Sequence, residues 1–180
     1  IVLLYLPDTK GLFLRAVAFL GKSGLSVVDA RIHTTSHGWA LDTFVANDAF
    51  GKFASSDSLR KLERDFADAL TNGKPLPPAP KFRLSRRSRH FPTRPSVQIQ
   101  PDESGRAFIL NIVATDRLGL LYAISKVLAQ YGVNLQTAKL ATLGERAEDV
   151  FLIDGAALHD DATLLQLEAE LIEALLPKSN

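Results

Sequence analysis

The 180-residue sequence contains no cysteine and no methionine, and only one tryptophan. Without cysteine the chain can form no disulfide, no thiolate metal site and no cysteine nucleophile. Its longest apolar run, Ile1 to Leu6, spans six residues, whereas a membrane-spanning helix needs roughly 20, and the run lacks the charged start and the length of a signal peptide. We therefore predict a cytoplasmic protein with no membrane partner. Because the chain does not begin with methionine, we interpret it as a piece of a longer protein.

Motifs typical of catalytic sites are absent as well. The sequence has no Walker loop, no dinucleotide-binding fingerprint, no Gly-x-Ser-x-Gly elbow and no histidine-containing metal motif. Its four histidines, at positions 33, 37, 90 and 159, have no nucleophile or metal partner at a recognisable spacing. We therefore expect these histidines to be exposed polar residues without a catalytic role. The two acids after His159 are predicted to cap a helix. We predict that this chain catalyses nothing and holds no metal or cofactor.

The composition, with 46% hydrophobic and 23% charged residues, is typical of a globular protein. A formal net charge of +1 argues against a surface that binds nucleic acid or anionic membranes throughout. The charge is nevertheless uneven, because residues 74–95 hold seven basic residues, no acid and six of the nine prolines. We interpret this segment as a linker, in which residues 81–84 could supply an edge strand to the part before it.

A segment near the N-terminus recurs 108 residues later. Residues 7–13 are matched by residues 115–121, and both contain an Asp-x-x-Gly-Leu sequence. Further matches follow at nearly the same spacing, the last after a slip of one residue: 24–27 with 132–135, and 42–44 with 149–151. The repeat predicts two modules of one kind, spanning residues 1–73 and 96–180.

Each copy shows the same order of patterns. An apolar run ends at the Asp-x-x-Gly turn, a helical spacing of apolar residues follows, and then come a hairpin and a second helix. This order predicts an α+β, ferredoxin-like fold with two helices on one face of an antiparallel sheet. Val97 to Gln100 precedes the second copy and is expected to fill the edge position of its missing last strand. Five strand residues are expected on the face away from the helices, covered by another sheet or subunit: Asp42, Phe44, Asp149, Phe151 and Ile153.

The repeated turn is the best candidate for a functional site. A glycine at a helix start, here Gly11 and Gly119, lets a ligand approach free backbone N–H groups that suit a carboxylate. The neighbouring Asp8 and Asp116 could hold an ammonium group, and the two demands together describe a free amino acid. The candidate binding residues are Asp8, Gly11, Leu12 and Ser26 in the first copy, and Asp116, Gly119, Leu120 and Asn134 in the second. From spacing alone, plain helix caps and turns explain the same residues.

Both copies resemble ACT domains, small regulatory modules that pair through their sheets and bind amino acids between them. The likeness is closest in these segments: 29–35, 38–44, 116–122 and 138–151, with 89–92 and 97–100 between the copies. They are similar to the tandem C-terminal ACT domains of the bacterial bifunctional uridylyltransferase/uridylyl-removing enzymes that act on the PII nitrogen signal protein. That family often has proline before the turn glycine, where this chain has Lys10 and Leu118. Since proline presets the φ of a helix start, the first turn is the weaker candidate of the two.

The resemblance implies a glutamine sensor. In that family one catalytic domain adds UMP to PII, a metal-dependent domain removes it, and glutamine bound by the ACT pair favours removal. Neither catalytic domain is present in this chain, so Mg²⁺ is implied only for the parent enzyme. The implied partners are glutamine, PII through the parent enzyme, and another ACT module, either within the chain or in a homodimer.

Two other functions fit part of the sequence. RNA-binding modules of the RRM type share this order of strands and helices and carry aromatic residues on the open sheet face. The matching residues would be Tyr5, Trp39 and Phe44, with the basic run 86–89. Asp42 and Asp149 would, however, place negative charge near the phosphates, and the RRM signature of the third strand is missing, so we predict no nucleic-acid partner. The third alternative is a dimerisation scaffold that binds no ligand.

Overall fold

The structure, a computed structural model, describes residues 1–48, 51–71 and 93–176. Its N-terminal half contains β1 (Val2–Pro7), α1 (Leu12–Ser23), β2 (Ser26–Arg31), β3 (Trp39–Asn47) and α2 (Ser56–Thr71). Its C-terminal half contains β4 (Ser96–Pro101), β5 (Phe108–Thr115), α3 (Leu120–Gln130), β6 (Asn134–Lys139), β7 (Thr142–Leu143), β8 (Arg146–Asp154), a 3-10 turn (Ala156–His159) and α4 (Asp161–Leu175). The predicted α+β class is confirmed. No helix in these ranges is long and apolar enough to cross a membrane.

Each half has its own antiparallel sheet. The strand order is β1-β3-β2 in the first sheet and β4-β5-β8-β6 in the second, with the short β7 paired to β8. β4 lies at the edge beside β5, which is the position expected for Val97 to Gln100. The edge strand predicted at 81–84 and the linker as far as residue 92 lie outside the described residues.

The structure corrects the predicted orientation of five strand residues: Asp42, Phe44, Asp149, Phe151 and Ile153. All five are buried on the helix-covered side of their sheet. Phe13 of α1 stacks on Phe44 with 6.0 Å between the ring centroids, and side chains two positions apart share a strand face. The prediction failed because both rows of β3 carry apolar side chains, so alternation did not identify the covered row.

The last helix begins as its sequence predicts. Asp160 is the N-cap of α4, and its Oδ2 accepts a hydrogen bond from the Thr163 N–H at 2.8 Å. This satisfies one of the free donors of the first turn. The helix also buries three leucines in the core: Leu167, Leu171 and Leu175.

The two halves pack side by side. Helix α1 contacts α3, and β2 runs beside β6, although in the described residues no strand pairing joins the two sheets. Leu14 and Ala18 of α1 meet Tyr122 of α3 in a small apolar cluster. Because each Asp-x-x-Gly turn immediately precedes one of these helices, this packing places both turns at the boundary between the halves.

Candidate ligand-binding clefts

The two turns have the same backbone geometry. Gly11 and Gly119 are the N-caps of α1 and α3, with φ values of 79° and 83°. Glycine adopts this left-handed conformation without the steric cost that a Cβ imposes. The next residue donates its N–H to the carbonyl three residues earlier at 3.0 Å in both turns: Leu12 to Thr9, and Leu120 to Arg117. The side chains of Leu12 and Leu120 are buried in the core, so these leucines offer a ligand neither a free amide nor an exposed side chain.

Backbone donors nevertheless remain at the first turn. Within the described ranges, no group accepts a hydrogen bond from the N–H of Gly11 or of Phe13. Both residues line the cleft in front of the turn. Free amides at the N-terminus of a helix attract a carboxylate through their partial positive charge.

The first cleft lies between the first turn and the opposite half, and has a volume of about 790 Å³. One wall carries Asp8, Lys10 and Asp42 of the N-terminal half, and the other carries Gly132 and Asn134 of the C-terminal half. The Lys10 Nζ atom reaches the opposite wall, 3.5 Å from the position that a Cβ on Gly132 would occupy. The first cleft is therefore built from both halves.

The second cleft lies in front of the second turn and has a volume of only about 40 Å³. Its walls carry Asp116 and Asp149 from the C-terminal half, and Val17 and Ser26 from the N-terminal half. The guanidinium of Arg117, which also lines it, donates a hydrogen bond to the Ala174 carbonyl on α4 at 2.7 Å. This cleft has the same plan as the first but much less space.

Two predicted site residues lie across from the turn of the other half. Asn134 belongs to the second copy but faces the Asp8 turn of the first. Ser26 belongs to the first copy but faces the Asp116 turn of the second. Asn134 donates its Nδ2 hydrogen to Asp154 Oδ1 at 3.0 Å, and Gln136 donates to Asp154 Oδ2 at 2.5 Å. Asn134 thus faces the first cleft as part of a network of two amides and a carboxylate.

Two aspartates that sequence reasoning did not assign to the site belong to the clefts. Asp42 on β3 and Asp149 on β8 are 1% and 6% exposed, and line the first and second cleft respectively. In each, Oδ1 accepts one backbone N–H at 3.3 Å, from His33 and from Ala141. The sequence does carry a signal for them, since an aspartate interrupts an apolar strand at the same repeat position twice.

Burial changes the acidity of these carboxyl groups. Desolvation raises the pKa of Asp42 to about 6, opposed by the hydrogen bond from the His33 N–H and reinforced by the nearby charge of Asp8. In the same way burial raises the pKa of Asp149 to about 7, and the charge of Asp116 reinforces it. Burial also raises the pKa of Asp116 itself. Each cleft therefore contains a buried carboxyl that gains or loses its proton near neutral pH.

The remaining candidate groups are the histidines, of which His33 also lines the first cleft. His33, His37 and His159 are exposed, as expected, and His90 lies outside the described residues. In the part of the chain that the structure describes, no three histidine or carboxylate side chains come together as a metal site would require.

The aromatic face expected for RNA is only partly present. Phe44 is buried in the core, whereas Tyr5 and Trp39 are exposed and stack with 4.9 Å between their centroids. Asp42 and Asp149 do not lie on that face. The prediction that their charges would repel phosphates there is therefore wrong. The basic run 86–89 lies outside the described residues, and the absence of a nucleic-acid partner stays a prediction.

Comparison with known proteins identifies relatives over nearly the whole chain. The chain is 50% identical over 177 residues to the bifunctional uridylyltransferase/uridylyl-removing enzyme of Chromobacterium violaceum. It is 46% identical over 179 residues to that of Ralstonia nicotianae, and 45% identical over 174 residues to that of Aromatoleum aromaticum. The matches cover 97% of this chain but only 20–21% of each relative, so the chain spans about a fifth of their length. The predicted resemblance to this enzyme family is thereby confirmed.

Two further comparisons add little. No protein-family model matches the chain. A solved structure of an unknown protein from Galdieria sulphuraria matches with a TM-score of 0.29 and 15% identity, over 92% of this chain and 88% of that one. A similarity this low supports no conclusion about fold or function.

Proposed function

We propose that this chain is a regulatory region that senses glutamine. It is homologous to bifunctional uridylyltransferase/uridylyl-removing enzymes over about one fifth of their length. The observation that carries the proposal is the first cleft, a cavity of about 790 Å³ with walls from both halves. Its walls combine free amides, a lysine, buried and exposed carboxylates and side-chain amides. This mixture of both charges with neutral polar groups matches a zwitterion that has a polar side chain.

Each part of glutamine has a counterpart on these walls. Its α-carboxylate fits the free N–H groups of Gly11 and Phe13 together with the Lys10 ammonium. Its α-ammonium fits the carboxylates of the N-terminal wall. Its side-chain amide can both donate to and accept from the network of Asn134, Gln136 and Asp154.

Glutamine bound in the first cleft would regulate the parent protein by coupling the positions of the two halves. A ligand that touches both walls stabilises the side-by-side packing of α1 with α3, and it can shift an equilibrium only by its difference in affinity for the two states. In the longer parent protein, the transfer of UMP to PII and its Mg²⁺-dependent removal take place in domains outside this chain. Glutamine bound in the cleft favours the packing that supports removal.

Calorimetric titration of the 180-residue chain with L-glutamine tests this function. Lys10→Ala and Asn134→Ala, on opposite walls, should each weaken binding roughly tenfold or more, because each removes a polar partner of the ligand. Asp65→Ala, an exposed substitution on α2, is the matched control and should bind like the unchanged chain. Unchanged affinity in both cleft variants would move the ligand elsewhere. If glutamine produced neither heat nor a shift in melting temperature, a scaffold without ligand would remain.

A further inference from the structure

We infer that the carboxylate of Asp42, at the floor of the first cleft, binds the α-ammonium group of the amino acid, and that Asp149 occupies the equivalent position in the second cleft. The inference rests on the proposed function and deepens it. It assigns the ammonium to a strand residue outside the Asp-x-x-Gly-Leu turn.

The hydrogen bonding of Asp42 leaves most of its carboxylate available. The residue is 1% exposed yet lines the cleft. In the described structure its only hydrogen bond comes from the His33 N–H, to Oδ1, at the long distance of 3.3 Å. An ionised carboxylate has about four acceptor positions, and a buried one is costly unless they are used. A cationic group in the cleft supplies what the protein itself does not.

The same arrangement occurs twice in one chain. Asp149 is 6% exposed, lines the second cleft, and also accepts a single backbone N–H at 3.3 Å, from Ala141. As a structural device, a buried charge without a cationic partner is inferior to an apolar side chain of similar size. Asp42, which lies beside an Asp-x-x-Gly turn and lines the open cleft, is instead suited to a cation that arrives from outside.

Asp8 is the rival for the ammonium group. It is exposed, and its Oδ2 already accepts a hydrogen bond from the Thr34 hydroxyl at 2.6 Å. Water weakens the attraction between an exposed carboxylate and an ammonium group, whereas burial strengthens it. Asp42 is therefore the stronger partner for the ammonium group, and Lys10 on the cleft wall can bind the α-carboxylate, which is attached to the same carbon atom.

Two ligands that differ only in the ammonium group test this assignment. We would titrate the 180-residue chain at pH 8 with L-glutamine and with 4-carbamoylbutanoate, which has hydrogen in place of the α-ammonium. The unchanged chain should prefer glutamine by roughly 30-fold or more. Asp42→Asn keeps the shape of the side chain but not its charge, so it should bind both ligands equally. Asp8→Asn and the exposed control Asp65→Asn should retain most of the preference.

The outcomes separate this inference from the proposed function. If Asp42→Asn kept the full preference for glutamine over 4-carbamoylbutanoate, or if Asp8→Asn abolished it, the assignment to Asp42 would be overturned. The proposal of glutamine sensing would be unaffected. If another standard α-amino acid bound in place of glutamine and Asp42→Asn abolished its ammonium preference, the glutamine proposal would fail and Asp42 would keep its role. Binding of no amino acid to the unchanged chain would overturn both.

A pH series on the unchanged chain tests the same assignment without a substitution at Asp42. Protonation of Asp42 should weaken glutamine binding about tenfold per pH unit below its pKa, so affinity should fall between pH 8 and pH 5. The charged groups that face it in the cleft are Asp8, Lys10, His33 and Asp154. Because histidine side chains titrate in this range, His33→Gln is the control and should show the same fall. An affinity that is constant over this range would overturn the inference.

Discussion

The two clefts share a backbone design but differ in the space they enclose. Their glycines have φ values of 79° and 83°, and their turns have matching hydrogen bonds, yet the volumes are about 790 Å³ and 40 Å³. The side chains at equivalent positions differ. Where the first cleft has Ser125 and Asn134 on its far wall, the second has Val17 and Ser26, and Arg117 also lines the second. A duplicated turn therefore does not by itself make a duplicated site.

The comparison also bears on the proline that the related family often has before the turn glycine. Its replacement by Lys10 made the first turn the weaker candidate. In the structure, Gly11 has nearly the same φ as Gly119, and the bond from Leu12 to Thr9 is as short as its counterpart in the second turn. The lysine instead reaches the opposite wall beside Gly132. The first turn is thus as well formed as the second, and we propose the first cleft as the better binding site, which the titrations test.

The largest expected effect tests whether the two halves contribute equally to one core. Phe44 and Phe151 occupy equivalent strand positions and are both 0% exposed, so Phe44→Ala and Phe151→Ala should each lower the free energy of unfolding by about 3–5 kcal/mol. Urea unfolding followed by circular dichroism measures this. A loss under about 1 kcal/mol in either variant would mean that its half packs loosely and that the equivalence fails.

The buried aspartates should differ in their effect on stability. A raised carboxyl pKa means that the folded chain keeps its proton to higher pH than the unfolded chain, so stability falls as pH rises from about 4 towards 7. Asparagine at Asp149 or Asp42 removes this loss. At pH 8, Asp149→Asn should be more stable than the unchanged chain by about 1–3 kcal/mol, and Asp42→Asn by less, because their pKa values are about 7 and about 6.

Thermal unfolding without ligand at pH 4 and pH 8 measures this difference. Below about pH 4 both carboxyls are protonated in either state, and the gain should disappear. The exposed Asp65→Asn is the control and should change stability at neither pH. A destabilised Asp149→Asn at pH 8 would indicate that the charged carboxylate has a partner that stabilises it.

The smallest expected effect concerns the glycines. Gly11→Ala and Gly119→Ala should each cost about 1–2 kcal/mol because both positions have a positive φ. Gly11→Asn and Gly119→Asn should cost less, since asparagine tolerates this conformation better. Equal losses from alanine in thermal unfolding would support the equivalence of the two turns. A loss at only one turn would show that the other adopts a different backbone in solution.

Several features could be predicted from residue spacing alone. The offset of 108 residues predicted equivalent turns, and helical spacing with Asp160 at its start predicted α4. The orientation of Asp42 and Phe44 could not be predicted in this way, because a period of two defines two strand faces without indicating which one the helices cover. The position of Asn134 opposite the turn of the other half was also hidden, since it depends on how α1 packs against α3.

The sequence by itself determined the order of elements, the helix caps and the two glycine turns, because these depend on contacts between residues close together in the chain. Only the tertiary structure decided that two halves share each cleft, that Asp42 and Asp149 lie beneath the turns, and that one cleft is open while the other is nearly filled. The shared clefts depend on side chains about a hundred residues apart meeting at one boundary, and no local pattern encodes the volume left between them. The position of the two aspartates depends on which face of each sheet the helices cover.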